Sequence, residues 1–169
     1  MKTLVVFAHQ YYENSKLNKR WIEAIENDPN VEIRNLDELY GSDIKAIDTK
    51  KEQEFLSKAK NIVFQFPLFW YSTPPMLKAY QDFVLTRGFA YGSQGNALKD
   101  KNFYMAVTTG SPESAYDVKP QIYLNNIVAT AKMCNMNYKG IFIRYGVFQA
   151  DDETLDKFSK EYAEFISKL

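Results

Sequence analysis

Five short apolar runs, each followed by a helical pattern, constrain the fold of this chain most. The runs predict β-strands over residues 3–8, 31–35, 61–66, 103–108 and 140–145. Apolar residues at helical spacing predict helices over residues 15–27, 50–60, 75–87, 119–135 and 152–167. Strands that alternate with helices form a parallel sheet with helices on both faces. Right-handed crossovers then favour the strand order 2-1-3-4-5, so the chain is predicted to be an α/β protein.

Length and composition limit the function classes. The 169 residues contain no linker or repeat and are predicted to form a single domain over residues 1–169. The 21 basic residues balance the 21 acidic ones, which gives no electrostatic support for a nucleic-acid or membrane-surface partner. No apolar stretch is long enough for a signal sequence or a membrane span, so a cytoplasmic location is expected. Cys134 is the only cysteine, which excludes a multi-cysteine metal site, and no metal is expected.

The segment after the third predicted strand carries three adjacent aromatic residues, Phe69, Trp70 and Tyr71. Pro75 suits the first turn of the next helix, so the aromatic residues lie on a strand-to-helix loop. Such loops lie at the carboxyl edge of a parallel sheet, where open α/β proteins bind their ligands. The aromatic rings either face a flat ligand or another chain, or they cover the core.

Two further loops end at the same edge of the sheet. After the first strand, Asn14 or Ser15 can cap a helix whose free N–H groups suit an anion such as phosphate. After the fourth strand, Gly110 lets the backbone approach a ligand closely, and Tyr116 adds a phenol. The glycine-rich signatures of nucleotide triphosphatases and of dinucleotide-binding folds are absent from the sequence. A plain helix cap and an ordinary polar loop remain the alternatives.

The order and spacing of these segments resemble the flavin-dependent NAD(P)H:quinone oxidoreductases. This flavodoxin-like family includes ancillary subunits of glutathione-gated potassium efflux systems. The resemblance covers nearly the whole chain and rests on residues 4–9, 67–71, 88–92 and 108–110. It implies a flavodoxin-like fold with five parallel strands, a flavin cofactor, and NAD(P)H as the co-substrate. The compact chain, with no appended segment for an adenosine half, favours FMN over FAD.

The resemblance also implies the residues that hold the flavin. The phosphate and ribityl chain would meet His9, Ser15, Leu17 and Asn18, and the isoalloxazine ring would lie beside Pro67, Leu68, Phe69 and Trp70. The pyrimidine edge would meet Thr108, Thr109, Gly110 and Ser111, with Tyr116 at the family position of a phenol near flavin N1 and O2. Tyr116 and Gly110 would be the catalytic groups. Two-electron reduction places negative charge at N1, which donors aimed there stabilise.

Two departures from the family pattern concern this edge of the flavin. The usual Thr-Thr-Gly-Gly is Thr-Thr-Gly-Ser here, because Ser111 replaces the second glycine. The larger animal members place a histidine six residues after the tyrosine, where this chain has Ile122. His9 is the only histidine, so no tyrosine–histidine proton relay exists. Either Tyr116 works alone with solvent, or the preferred acceptor and the rate differ.

Phe89 and Tyr91 follow the end of a predicted helix. In the family, this segment faces a two-fold interface and completes the substrate pocket of the neighbouring chain. The resemblance therefore implies a homodimer with two composite sites. The alternative is a loop that packs on its own domain.

Three functions remain open from the sequence. The first is an enzyme that passes hydride from NAD(P)H to a quinone or similar flat acceptor, by a ping-pong mechanism because the sequence offers no second nucleotide domain. The second is a regulatory ancillary subunit of a potassium-efflux transporter. The third is a flavodoxin-like electron carrier. Carriers of that kind are usually strongly acidic, and the zero net charge of this chain weakens the hypothesis of an electron carrier.

Overall fold

A computed structural model describes residues 2–169, which contain one five-stranded parallel sheet. The strands are β1 (Thr3–Phe7), β2 (Val31–Asn35), β3 (Asn61–Pro67), β4 (Asn102–Thr108) and β5 (Asn137–Arg144). Their order is β2-β1-β3-β4-β5, and every neighbouring pair is parallel. The predicted α/β class and strand order are confirmed.

Within residues 2–169, seven α-helices connect and cover the strands. They are α1 (Leu17–Glu23), α2 (Leu36–Tyr40), α3 (Thr49–Lys58), α4 (Pro75–Val84), α5 (Pro120–Tyr123), α6 (Asn125–Met133) and α7 (Asp152–Ser167). Short 3₁₀ turns lie at Tyr12–Asn14, Ile44–Ala46 and Glu113–Ala115. No helix within residues 2–169 has the length and apolar content needed to span a bilayer.

The helices differ from prediction in four places. The helix predicted over residues 75–87 ends at Val84, because Leu85 leaves the helical backbone range. Residues 24–27, predicted to be helical, form a turn after α1. The helix predicted over residues 119–135 is divided into α5 and α6 at Leu124, whose backbone angles of −95° and 8° leave the helical range. The short helix α2 was not predicted at all.

Side chains of the central strands alternate between the two faces of the sheet. Leu4 and Val6 of β1 point into a first core cluster, together with residues of α2, α3, α4 and α6. Val5 and Phe7 point into a second core cluster, where Trp21 of α1 meets residues of α7. All five residues of β1 and all seven of β3 are buried, which explains their continuous apolar character.

One ion pair lies inside the protein between β2 and α3. The Arg34 Nη2 atom is 2.7 Å from the Glu52 Oε1 atom, and both side chains are buried. The Tyr40 hydroxyl donates a hydrogen bond of 2.6 Å to the same oxygen. This contact ties α2 to α3, and the guanidinium also lies over the Phe55 ring, 4.3 Å from its centroid.

Candidate functional site

A cavity of about 1160 Å³ lies at the carboxyl edge of the sheet, between the loops that follow β1, β3, β4 and β5. From the first two of these loops and α1, the predicted flavin residues that line it are His9, Ser15, Asn18, Pro67, Leu68, Phe69 and Trp70. From the end of β4 and the loop after it, they are Thr108, Gly110, Ser111 and Tyr116. The fold therefore brings together three segments that are far apart in the sequence.

Leu17 and Thr109 do not line the cavity. The Leu17 side chain is fully buried in the second core cluster, because the helical turn of α1 directs it toward the sheet. Thr109 is also buried, and its hydroxyl donates a 2.7 Å hydrogen bond to the backbone carbonyl of Ser111. Its side chain shapes the loop after β4 rather than presenting a group to the cavity.

Ser15, not Asn14, caps α1. The Ser15 backbone is extended, whereas Lys16 already has helical angles. The Ser15 Oγ atom accepts a hydrogen bond from the backbone N–H of Asn18 at 3.1 Å, which is the contact expected of a cap. This bond uses a lone pair of the hydroxyl, and Ser15 Oγ donates to no acceptor in the described residues 2–169. Its hydrogen is therefore available to a ligand in the cavity.

His9 lies in the cavity wall, and its imidazole is neutral. Burial lowers the pKa of His9 to about 4, and the hydrogen bond of its own backbone only partly opposes this effect. The Nδ1 atom accepts a hydrogen bond from the backbone N–H of Tyr11 at 3.2 Å, so the proton resides on Nε2. The backbone N–H of His9 donates to Asp37 Oδ2 at 2.7 Å. His9 can therefore offer an N–H donor without bringing a charge.

The lowered pKa of His9 predicts a pH dependence of stability in protein without added flavin. Between pH 6.5 and about 4, the unfolded chain binds a proton at His9 and the folded chain does not, so stability falls as the pH falls. The full difference between the two pKa values of His9 corresponds to about 3 kcal/mol in the free energy of unfolding. We expect a loss of about 2 kcal/mol, because solvent reaches the ring through the cavity. Below about pH 4 both states are protonated and the loss stops growing.

The His9→Asn variant is compared with the parent protein, because the asparagine side-chain carbonyl can still accept a hydrogen bond from the backbone N–H of Tyr11. Urea unfolding of the two proteins across this pH range measures the difference in slope. Burial raises the pKa of Asp37, but that carboxyl titrates in both proteins and cancels. Parallel pH profiles for the two proteins would contradict the prediction.

The aromatic loop after β3 makes a tight turn over the cavity mouth. Phe69 and Ser72 exchange two backbone hydrogen bonds of 3.0 and 2.9 Å. The two residues between them, Trp70 and Tyr71, have positive φ angles of 46° and 62°, which defines a type I′ turn. Such a backbone costs bulky residues about 1 kcal/mol or more each, and strain of this kind clusters at ligand sites. Trp70 is 94% exposed at the tip.

Tyr116 lies half-buried across from this turn. Its ring is 6.3 Å from that of Tyr71, which also contacts Tyr123 at 4.8 Å. Ile122 is more than half exposed and does not line the cavity. The Tyr116 ring therefore contacts Tyr71, and the residue six positions later, Ile122, does not reach the cavity.

The loop after β4 presents backbone donors to the cavity. Within residues 2–169, the N–H groups of Gly110 and Ser111 donate to no protein acceptor. The loop after β5 holds the loop after β4 in place, because the Phe148 backbone N–H donates a hydrogen bond of 3.2 Å to the Gly110 carbonyl. The Phe148 ring lies against Gly110 so closely that a Cβ atom there would be 2.4 Å from a ring carbon. Glycine is therefore required for this packing.

Phe148 is the main cavity residue that the sequence analysis missed. Its side chain is 76% exposed and forms part of the lining together with Val147. The predicted topology pointed to this residue, because the loop after β5 begins at the same edge of the sheet as the loops after β1, β3 and β4. The other missed lining residues are Gln10, Tyr11, Asn14, Lys16, Ser72, Thr73 and Pro75.

Phe89 and Tyr91 do not line the cavity of their own chain. Both are half-buried and pack against the first core cluster. Their loop follows α4, which runs back from the cavity, and leads into the start of β4 at the opposite edge of the sheet. They can therefore contribute to a pocket only in a partner chain, and the composite site remains a prediction.

Comparison with known proteins agrees with this architecture. A family model described as a flavodoxin-like fold matches residues 1–166. The glutathione-regulated potassium-efflux system ancillary protein KefF of Citrobacter koseri is 40% identical, over 94% of this chain and 92% of that protein. A Bacillus subtilis protein named uncharacterized NAD(P)H oxidoreductase YdeQ is 36% identical, over 100% of this chain and 88% of that protein.

A solved structure extends the comparison to the site. General stress protein 14 of Treponema denticola, determined in complex with FMN, superposes with a TM-score of 0.92. It is 30% identical, and the match covers 99% of each chain. Because the family model matches nearly the whole chain and these relatives are 30–40% identical to it, the chain belongs to the flavodoxin-like fold family.

Proposed function

We propose that this protein is an FMN-dependent oxidoreductase that transfers hydride from NAD(P)H to a quinone or similar flat acceptor. The observation that carries the proposal is the cavity itself, which combines aromatic rings on one wall with free hydrogen-bond donors on another. Its volume is ample for a ligand of this size. The FMN-bound relative from Treponema denticola and the name of YdeQ support the cofactor and the reaction class.

The donor groups in the cavity fit FMN. The free hydroxyl hydrogen of Ser15, at the capped start of α1, suits a phosphate. The unpaired N–H groups of Gly110 and Ser111 suit the carbonyl and imine acceptors of the pyrimidine edge. Phe69 and Trp70 would flank the flat ring.

Bound FMN would supply the two-electron chemistry between NAD(P)H and the acceptor. The protein residues around it exclude water and fix donors where negative charge develops. His9 adds a neutral donor, which contributes a hydrogen bond without protonating the site. Because a single cavity serves both substrates, we propose that they bind in turn and that the mechanism is ping-pong. We also propose a cytoplasmic location.

The visible spectrum of the purified protein is the first test. A yellow protein that releases FMN on denaturation, and oxidises NADH or NADPH with a quinone, is the expected result. Parallel double-reciprocal plots at several quinone concentrations would agree with a ping-pong mechanism. A colourless protein that does not take up added FMN would contradict the proposal at its base.

Tyr116→Phe is expected to slow flavin reduction by about tenfold while flavin stays bound. The change removes only the hydroxyl and keeps the ring that contacts Tyr71. The effect is moderate because the N–H donors of Gly110 and Ser111 remain. Stopped-flow reduction by NAD(P)H measures it, and Tyr123→Phe, on the far side of Tyr71, is the matched control. Equal rates for parent and Tyr116→Phe would give Tyr116 a packing role only.

We further propose a homodimer in which Phe89 and Tyr91 complete the substrate pocket of the partner chain. The double change Phe89→Ala and Tyr91→Ala is expected to raise the KM for quinone and to leave most of the flavin bound. Interface aromatic residues often carry several kcal/mol, so the dimer can also weaken. Light scattering at the assay concentration reports the dimer, and kinetics on the dimeric fraction report the pocket. A monomeric parent with full activity would refute the composite site.

A second candidate function is regulation of a potassium-efflux transporter. The 40% identity with KefF, named as an ancillary protein of such a system, favours it. The enzyme activity and the regulatory role are compatible, since one flavin pocket could serve both. Potassium efflux from cells that carry the transporter, measured with and without this protein, separates the regulatory role from a purely enzymatic one.

A further inference from the structure

Four buried polar side chains form a continuous hydrogen-bonded path from α7 to the cavity. The Tyr162 hydroxyl donates to Gln65 Oε1 at 2.7 Å, and Gln65 Nε2 donates to Asn18 Oδ1 at 3.3 Å. Asn18 Nδ2 then donates to Thr108 Oγ1 at 2.8 Å. All four residues are at most 4% exposed. Only Asn18 and Thr108 reach the cavity wall.

Tyr162 fixes the direction of this path at its inner end. Its ring stacks on Trp21 at 4.5 Å and also contacts Phe142. Burial raises the pKa of the Tyr162 phenol far above its ordinary value, so the hydroxyl keeps its proton and acts as a donor. Gln65 must therefore turn its carbonyl to Tyr162 and its amide to Asn18.

The direction carries through Asn18 to the cavity. The Asn18 carbonyl is occupied by Gln65, so its amide faces Thr108. The Thr108 oxygen accepts that bond, which leaves the hydroxyl hydrogen to be donated elsewhere. Within residues 2–169, this hydrogen finds no protein acceptor. Thr108 thus joins the N–H groups of Gly110 and Ser111, which also lack acceptors.

We propose that Tyr162 is a positioning residue that acts through Gln65 and Asn18 to hold the Thr108 hydroxyl as a donor toward the ligand. This end of the cavity then selects a ligand edge made of hydrogen-bond acceptors and disfavours one that carries donors. Buried polar groups discriminate strongly, because a mismatched partner leaves them unpaired. The inference rests on the proposed function, in which that edge belongs to FMN.

A double-mutant cycle on FMN affinity tests the proposal. Thr108→Val is expected to weaken FMN binding by about tenfold, the loss of one hydrogen bond. Tyr162→Phe is expected to weaken it by about fivefold, because the amides of Gln65 and Asn18 are no longer held in one orientation. The double variant should match Thr108→Val within about twofold, rather than reach the roughly fiftyfold loss of independent sites. Thr108→Ser, which keeps the hydroxyl, should restore binding.

The matched control is Tyr104→Phe. Tyr104 packs against Phe165 beside the second core cluster, and its hydroxyl makes no protein hydrogen bond within residues 2–169. Its removal should leave FMN affinity unchanged, which separates the path from a general effect of losing a phenol. Binding is measured by quenching of FMN fluorescence, after circular dichroism has shown each variant to be folded. If Tyr162→Phe does not fold, Gln65→Met interrupts the path at the next link and enters the same cycle.

The outcomes are distinct. Parent-like FMN affinity in Tyr162→Phe, or additive losses in the double variant, would overturn the positioning role and leave the proposed function intact. A parent protein that does not bind FMN would overturn both. Coupled losses together with the Thr108→Ser rescue would support the path.

Discussion

Arg34→Met is expected to lower the free energy of unfolding by about 3–5 kcal/mol, the largest stability effect that we predict for a single substitution. Glu52 is fully buried, and Arg34 is its only cationic partner within residues 2–169. Removing the guanidinium leaves a carboxylate inside the protein with one remaining hydrogen bond, from Tyr40. Urea unfolding near neutral pH measures the loss as a lower midpoint at an unchanged slope.

A double variant tests this reason. The double change Arg34→Met and Glu52→Leu removes both charges, and it should recover most of the stability, because an apolar pair of similar volume avoids the desolvation cost. If the single variant is within 1 kcal/mol of the parent at about neutral pH, the ion pair contributes little.

Ser15→Ala is expected to weaken FMN binding by about 1.5–3 kcal/mol, which corresponds to roughly 10-fold to 150-fold in the dissociation constant. The hydroxyl that would donate to the doubly charged phosphate is lost, whereas the fold survives. The variant also loses the cap of α1, because Ser15 Oγ accepts from the Asn18 N–H. That loss costs about 1 kcal/mol of stability and is measured separately by unfolding without flavin.

Riboflavin is the control ligand, because it shares the ring and the ribityl chain with FMN and lacks the phosphate. The Ser15→Ala change should leave riboflavin affinity nearly unchanged. Equal losses for FMN and riboflavin would show that Ser15 acts only through the helix start. No loss for either ligand would place the phosphate elsewhere in the cavity.

The strand order and most helix positions could be predicted because the signals are local and strong. β1 and β3 are buried on both faces, so they read as unbroken apolar runs. Pro75 marks the start of α4, as expected from its fixed backbone angle. α2 escaped prediction because its five residues are too few to show a helical period. It is held by a tertiary contact, the hydrogen bond from Tyr40 to Glu52, which no local pattern reveals.

The cavity residues, like the helices, could be predicted only where the signal in the sequence was local. The resemblance supplied the segments but not the direction of each side chain. The Leu17 side chain lies in the core, and Thr109 does not line the cavity whereas Thr108 does. A flavin contact by Leu17 or Thr109 stays a prediction. Phe148 was missed because it carries no motif and acts through its contact with Gly110. Its place follows from the position of β5 at the edge of the sheet.

The two tryptophans of this protein lie at opposite extremes of solvent contact. Trp21 is fully buried and stacked on Tyr162, whereas Trp70 stands almost fully exposed at the mouth of the cavity. Indole emission depends on the polarity around the ring and is quenched by a nearby acceptor dye such as a flavin. The chain therefore contains two natural fluorescent reporters, one in the core and one at the ligand entrance. A single emission spectrum can follow the melting of the interior and the filling of the cavity as separate signals.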